Sequence, residues 1–400
     1  MEFLKRAILR IASTPDARLS ELPRLHRRLL LPILSSASAL YRLSLLLRRC
    51  RRLLLSPHRV SRLPVPVISV GNVTWGGNGK TPMVELIARF FDECGVAPLV
   101  LTRGYAGGDE AKMLKRHLQD TSAIIGIGAN RAATAASLLN KHGYTDACRV
   151  LCMEDHTLPH KFGPHSDNGK VGVVILDDGM QHWSLLRNVE IVMVNSMMPW
   201  GNSHLIPRGP LREPLSALGR ADILVIHHAD LVSDMQLKII ESTVLYICAT
   251  LPMFFSRLVP SHLFGVKNPH SRFPLTMLNN SAVLCVSGIG FPYAFFHAVR
   301  ELGPLHVGRL DFLDHHPFKA SDIQLIREKA AKLAADYNKE TVVVVTEKDY
   351  DRNPHILGEI DDINVLVLCS SLQIMPLEGK SEDDFRMKLK ELLIRTKSAP

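Results

Sequence analysis

The sequence predicts an α/β protein: a doubly wound, mostly parallel sheet, then a second, smaller α/β unit, with an apolar helix in front. Three observations carry this. Short runs of Val, Ile and Leu alternate with amphipathic stretches from residue 65 onward, the rhythm of strand–helix–strand units whose strands are covered on both faces. The first run, Val65 to Val70, passes through a cluster of glycines into an amphipathic stretch. One long apolar segment, 29–47, precedes them all.

At 400 residues the chain exceeds what one core usually spans, and we expect three parts: 1–57, 58–250 and 251–400. Residues 1–28 hold seven Lys and Arg against three acids, with Leu4, Ile8 and Ile11 on one helical face, which resembles a mitochondrial presequence. Residues 29–47 approach the ~20 apolar residues needed to cross a bilayer. Arg42 within the segment, Pro32, and the arginines at 48, 49, 51 and 52 suit a helix lying in or dipping into an anionic leaflet, so residues 29–52 are expected to meet a membrane surface.

The strand at 65–70 leads into Gly71-Asn-Val-Thr-Trp-Gly-Gly-Asn-Gly-Lys-Thr-Pro82. A strand, a glycine-rich loop ending in Gly-Lys-Thr, and a helix make a phosphate-binding P-loop. Gly76, Gly77, Asn78 and Gly79 bring backbone N–H groups around phosphate oxygens, Lys80 reaches the terminal phosphates, and Thr81 can ligate Mg²⁺. Thr74 stands where the consensus has its first glycine. A helix follows at 83–91, then strands at 97–102 and 122–126, a helix at 130–140, and strands at 171–176, 190–194 and 223–226. The His-, Gly- and Asp-rich stretch 153–170 reads as a surface loop. In the last part we expect strands at 283–287, 341–346 and 364–368 and helices at 292–302, 321–337 and 383–395, without a second P-loop.

Candidate chemistry gathers at strand ends. Asp177 and Asp178 follow the clearest strand, where a nucleotide-binding fold holds Mg²⁺ opposite the P-loop threonine. Asp109 and Glu110 follow two glycines after Arg103-Gly-Tyr, and Asp109 could take the proton of an attacking hydroxyl. Asp314-His315-His316 offers an imidazole beside an acid, with His315 as proton carrier or orienter of a carboxylate. Arg131, Arg208 and Arg212 stand on junctions or irregular loops suited to phosphate recognition. His227 and His228, at a strand end, read as structural.

The net charge of +9 favours an anionic partner, and the arginine cluster beside the apolar segment points to membrane, with no motif for nucleic acid and no protein partner indicated. Seven scattered cysteines lack zinc or redox spacing and fit reduced thiols. A GTPase-type guanine motif is absent, since Asn-Lys at 140–141 and 338–339 is not followed by the required Asp. The Leu-Ser-Gly-Gly signature of transporter ATPases is absent too.

Taken in order, the segments 69–82, 103–105, 108–110, 177–182, 207–214, Ser287-Gly-Ile-Gly-Phe-Pro292, 314–318 and Thr346-Glu-Lys-Asp349 resemble those of the lipid A 4′-kinase family. A small hydroxyl residue at position 74 is a feature of that family. The resemblance implies transfer of the γ-phosphoryl group of ATP, with Mg²⁺, to the 4′-hydroxyl of a tetraacylated disaccharide 1-phosphate, at a membrane reached through the N-terminal helix. It further implies Asp109 and His315 as the catalytic pair, with Asp109 the proton acceptor and His315 steadying it. Lys80 and Thr81 fall at the phosphate and metal positions, Asp177, Asp178 and Gln181 in the second acidic motif, and Glu110, Arg131, Arg212 and Glu213 at polar positions around the substrate. Met180, Trp183-Ser184 and the long 153–170 loop depart from the pattern. The loop and the 1–28 extension imply a eukaryotic, mitochondrial member, the alternative being the cytoplasmic face of a bacterial inner membrane.

Overall fold

The computed structural model describes residues 2–55, 60–104, 108–146 and 169–398. Tyr105, Gly107 and the core of the 153–170 loop lie outside the described residues. The strands are β1 Val67–Gly71, β2 Ala97–Thr102, β3 Ile124–Ile127, β4 Val171–Asp177, β5 Val189–Asn195, β6 Ile223–His227, β7 Met253–Gly265, β8 Asn268–Phe273, β9 Ala282–Ser287, β10 His306–Asp311, β11 Thr341–Thr346 and β12 Asn364–Ile374. The helices are α1 Glu2–Ser13, α2 Leu31–Leu55, α3 Lys80–Glu93, α4 Asp109–His117, α5 Arg131–His142, α6 Asp234–Ile247, α7 Pro292–Glu301, α8 Ala320–Tyr337, α9 Glu347–Arg352, α10 Pro354–Gly358 and α11 Glu382–Ser398.

All twelve strands join one sheet, in the order β10-β9-β11-β12-β7-β6-β5-β1-β4-β2-β3, with β8 appended to β7. Pairing is parallel except where β7 meets β12 and β8. Every residue of β1, β4, β5 and β6 is buried, as parallel strands between two helical layers must be. β1 lies between β4 and β5, where the strand order changes direction. The crevice outside the carboxyl ends of such strands is where open α/β sheets bind ligands.

The expected boundary near 250 falls just before β7, and β7 explains why one sheet runs through. Its first residues pair with β6 and its remainder with β12. The sequence reading missed β7, β8 and β10. β7 carries Ser256, Arg257, Pro260 and His262 in mid-strand, and β10 is a half-exposed edge, so neither shows a clean apolar run. The last helix, α11, returns to the first unit. Its Phe385, Leu389 and Leu393 share a core with Phe90 and Phe91 of α3, and Phe385 meets Phe254 edge to face at 5.3 Å.

The amino-terminal segment is packed rather than free. Ile11 and Ala12 are fully buried, and Asn202 donates its backbone N–H to Ala12 O and its amide to Ile11 O, each at 3.0 Å. His26 to Arg51 form a helical run long and apolar enough to cross a membrane, only 11% of whose most apolar window is buried. One face is tied down: Ser38 Oγ donates to Leu205 O at 2.8 Å and Tyr41 Oη to Arg212 O at 2.9 Å. The opposite face leaves Leu40, Leu43, Leu46 and Leu47 exposed.

Candidate active site

The loop between β1 and α3 is gripped by side chains rather than left as a flexible turn. Asn78 Nδ2 donates to Trp75 O at 2.7 Å and to Thr74 Oγ1 at 3.1 Å, which is what Thr74 supplies where a glycine was expected. From outside, Trp75 N–H donates to Pro210 O at 3.0 Å and Asn195 Nδ2 to Gly77 O at 2.8 Å. Gly79 has φ +75°, and a Cβ there would stand 2.6 Å from the His227 ring. His227 is fully buried, its Nδ1 lies 3.0 Å from Ser256 Oγ, and burial followed by the charge of His228 pushes its pKa well below the ordinary value. A neutral ring is therefore the floor of the loop, a structural role as expected from sequence. Gly79→Ala combines left-handed strain with this clash and is expected to cost roughly 2 kcal/mol of stability and to abolish nucleotide binding. Thermal melts with and without ATP check this.

Beside the loop lies a charged cluster. Asp178 has φ 53°, and its carboxylate meets Arg212 Nη1 at 2.7 and 2.8 Å and Lys80 Nζ at 3.5 Å. Burial would raise its pKa, but Lys80 and Arg212 outweigh it and hold the group at about 2. Arg131, 3% exposed, donates to Asp178 O at 2.9 Å. Gln181 bridges Asn72 O at 3.0 Å and Glu213 Oε1 at 3.1 Å, and Glu213 is forked by Arg220 at 2.8 and 3.0 Å. Arg212 and Glu213 are thus paired to side chains of this same wall, and Arg208 pairs with Asp16 at 2.9 Å away from it.

Asp177 differs from its neighbour. It is 2% exposed, accepts from Thr81 Oγ1 at 3.2 Å through Oδ2, and its Oδ1 has no partner among the described residues. Burial first, and then the charge of Glu110, raise its pKa above the usual carboxylate range. An orphaned buried carboxylate oxygen beside a threonine hydroxyl is an oxygen donor set suited to Mg²⁺, which takes one or two carboxylates and completes its shell with phosphate and water. No group of three His, Cys, Asp or Glu able to hold a metal occurs among the described residues, so the protein alone does not build a full cage.

The second wall comes from the other unit. His315, with φ 60°, is 38% exposed at its side chain and lines the cleft. Its Nδ1 lies 3.7 Å from Asp109 Oδ2. Asp109 is 1% exposed, does not line the cleft, and accepts from Arg352 Nη2 at 2.8 Å and Nε at 3.2 Å. Burial opposes its ionisation, but the neighbouring His315, the hydrogen bonds of Arg352 and the charge of Lys348 bring its pKa to about 2. The sequence reading gave the proton to Asp109; among the described residues, His315 is the member of the pair that lines the cleft. Glu110 lines the cleft, paired at 3.0 Å with Lys348.

Arg352 and Lys348 were not identified as site residues from the sequence. Lys348 lies in the Thr346-Glu-Lys-Asp349 motif, which offered a signal, but Arg352 stands beyond it with none. A further network links the units, with His117, Glu85 and Glu347 lining the cleft: His117 contacts Glu85 at 2.6 Å and Glu347 at 2.5 Å, and Arg116 pairs with Glu347 at 2.9 Å and Asp351 at 2.8 Å. Burial would depress the His117 pKa, but the hydrogen bonds of Glu347 and Glu85 raise it to about 10. A raised pKa stabilises fully below the unfolded value near 6.5, and that contribution is lost as pH climbs toward 10. Stability of the wild type is therefore expected to decline between about pH 6.5 and 10, and His117→Gln to flatten that slope, as urea unfolding across pH would read.

Many of these groups face one cleft of about 1250 Å³. Its floor is the P-loop with Lys80 and Thr81; Asp178, Gln181, Arg131 and Arg212 form one side, and Glu110, Asp314, His315 and Lys348 another. Tyr41 of α2 stands at the rim. Fold and site together define an ATP-dependent phosphotransferase of the P-loop class. The family model described as tetraacyldisaccharide-1-P 4′-kinase matches residues 30–107 and 106–391, and the chain belongs to that family. It is 49% identical to a probable mitochondrial tetraacyldisaccharide 4′-kinase of Arabidopsis thaliana over 98% of each chain. It is 33% identical to the tetraacyldisaccharide 4′-kinase of Halothermothrix orenii, covering 80% of this chain and 83% of that one. A crystal structure of LpxK from Aquifex aeolicus in complex with ATP superposes with a TM-score of 0.59 at 21% identity, over 92% of this chain and 99% of that one, showing the same fold.

Proposed function

We propose that this protein transfers the γ-phosphoryl group of ATP to the 4′-hydroxyl of a tetraacyldisaccharide 1-phosphate, with Mg²⁺, at a membrane surface. The observation that carries the reading is that the P-loop and the His315 imidazole, with Asp109 behind it, face one cleft that Tyr41 of α2 also lines. Phosphoryl transfer requires alignment and charge neutralisation more than covalent chemistry from the protein. Backbone N–H groups of 76–81 and the Lys80 ammonium hold the donor phosphates. Thr81 and Asp177, with Asp178 beside them, would hold Mg²⁺. The ion, when bound, offsets charge on the phosphate oxygens.

The acceptor hydroxyl attacks phosphorus, its proton passes to His315, and the bond to the β-phosphate oxygen breaks to release ADP. The Asp109 carboxylate, 3.7 Å from His315 Nδ1, would stabilise the imidazolium that forms. Arg131, Glu110, Arg212 and Glu213 are proposed to border the disaccharide.

The acyl chains of such an acceptor remain in the bilayer. The exposed leucines of α2 and its hydrogen bonds to the 205–212 loop place the apolar helix and the cleft side by side. We propose a mitochondrial membrane as the site of action, in line with the name of the Arabidopsis relative. The test is mass spectrometry of a tetraacyldisaccharide 1-phosphate in liposomes after incubation with protein, ATP and Mg²⁺. A product bearing one added phosphate is expected, and none from the 4′-deoxy analogue. Phosphorylation of the analogue would refute the assigned hydroxyl.

A further inference from the structure

The α4–α9 contact is built from charge, and Arg352 is its centre. Its guanidinium is 6% exposed at the side chain and grips three separate elements. Nε and Nη2 donate to Asp109 Oδ2 at the start of α4, at 3.2 and 2.8 Å. Nη1 donates to Asp349 Oδ1 at 3.1 Å, within its own helix, and to Gly288 O in the loop after β9, at 3.2 Å. Nη2 also stands 3.4 Å from His315 Nδ1, in the loop after β10. The same Gly288 carbonyl accepts the backbone N–H of His315 at 3.0 Å. That bond holds His315 at φ 60°, a left-handed conformation costly for a residue with a Cβ.

The anchor of this clamp is itself fixed. Asp349 is fully buried, accepts from Gly288 N at 3.0 Å, and is bonded to Thr346 Oγ1 at 2.6 Å. A planar fork with donors in set directions serves these acceptors at once, which a lysine ammonium cannot do.

We propose that Arg352 is a positioning residue of the phosphotransfer reaction: it clamps Asp109 of the P-loop unit onto the Gly288 and His315 loops of the second unit, and so assembles the Asp109–His315 pair. This rests on the kinase reading above. Arg352 touches no substrate in this role and acts through the pair. Asp109 is faced by Arg352 and Lys348 from α9, by His315 from the loop after β10, and by Glu110 in its own helix, with Asp314 and Asp349 the nearest further acids. Removing Arg352 takes away the cation that hydrogen-bonds Asp109 directly, so its protonation moves to higher pH.

The experiment compares wild type, Arg352→Ala, Arg352→Lys and His315→Ala in steady-state transfer from ATP to the lipid disaccharide. Both Arg352 variants should lose about 10²-fold in kcat while KM for ATP stays within about twofold. Guanidinium chloride at low concentration should restore part of the rate to Arg352→Ala and none to His315→Ala. The acid limb of the kcat–pH profile should move upward in Arg352→Lys. A kcat within about threefold of wild type overturns the proposal, as does a loss that tracks the melting temperature with no guanidinium response and an unmoved acid limb. If the wild type binds ATP but phosphorylates no lipid, the kinase reading fails, and hydrogen exchange then decides the clamp. Arg352→Ala should speed exchange at 109–117 and 312–318 and leave 67–71 as in wild type; equal exchange everywhere overturns it.

Discussion

Lys80→Ala is expected to lower the transfer rate by at least about 10³-fold and to weaken ATP binding, with the fold retained. Lys80 is the first residue of α3, its side chain only 12% exposed, and its ammonium points at the anionic end of the cluster, 3.5 Å from Asp178. In a water-poor cleft a fixed cation acts on developing phosphate charge at a low effective dielectric, so its loss is not made good by solvent. The substitution also removes the strongest attraction holding the Asp178 pKa at about 2. A depressed carboxylate pKa stabilises above the unfolded value near 3.9 and loses that effect as pH falls through the folded value. Lys80→Ala should therefore lose stability at neutral pH relative to wild type, and the gap should narrow as pH falls below about 4. Single-turnover transfer and urea melts at two pH values separate the two effects. A variant that transfers within tenfold of wild type would remove Lys80 from the site.

His315→Ala carries the second large effect, a loss of about 10²–10⁴-fold in kcat at unchanged ATP affinity. Asp109→Asn should fall in the same range, because a neutral amide cannot stabilise the imidazolium as a carboxylate does. The pair acts as a unit, so the double variant should be little worse than the worse single one. Multiplicative losses would mean that the two residues serve different steps. Asp109→Asn should also leave Arg352 with one buried charge unmatched, so its melting temperature should drop where that of His315→Ala does not.

The donor half of the site was legible because it is local. A strand, a glycine loop and Lys80-Thr81 are contiguous, and their geometry follows from chain order alone. β4, β5 and β6 were equally readable, since burial on both faces leaves unbroken apolar runs before Asp177 and the other strand-end residues. The acceptor half was visible only as motifs. Asp109 and His315 are 206 positions apart in number, and what brings them together is the sheet order that sets β9, β10 and β11 at one end and β2 near the other, with α4 and α9 meeting between. No periodicity reports that.

The burial of Asp109 was illegible for the same reason, since Arg352 on α9, 243 positions away, covers the carboxylate. β7 was lost because Ser256, Arg257, Pro260 and His262 interrupt its apolar run, Arg257 and Pro260 lining the cleft. His227 shows the opposite case. Read as structural from its place at a strand end, it proves to be the support beneath Gly79, although nothing in the sequence named the glycine it would meet.

The account joins a phosphate donor at the P-loop to a lipid hydroxyl at His315 in one cleft. Incubating the protein with [γ-³²P]ATP, Mg²⁺ and liposomes containing a tetraacyldisaccharide 1-phosphate, then partitioning the products, tests that junction most directly. The account predicts label in the organic phase, dependent on the lipid and absent from Lys80→Ala and His315→Ala. Label recovered only as inorganic phosphate, at the same rate with or without the lipid, would contradict it.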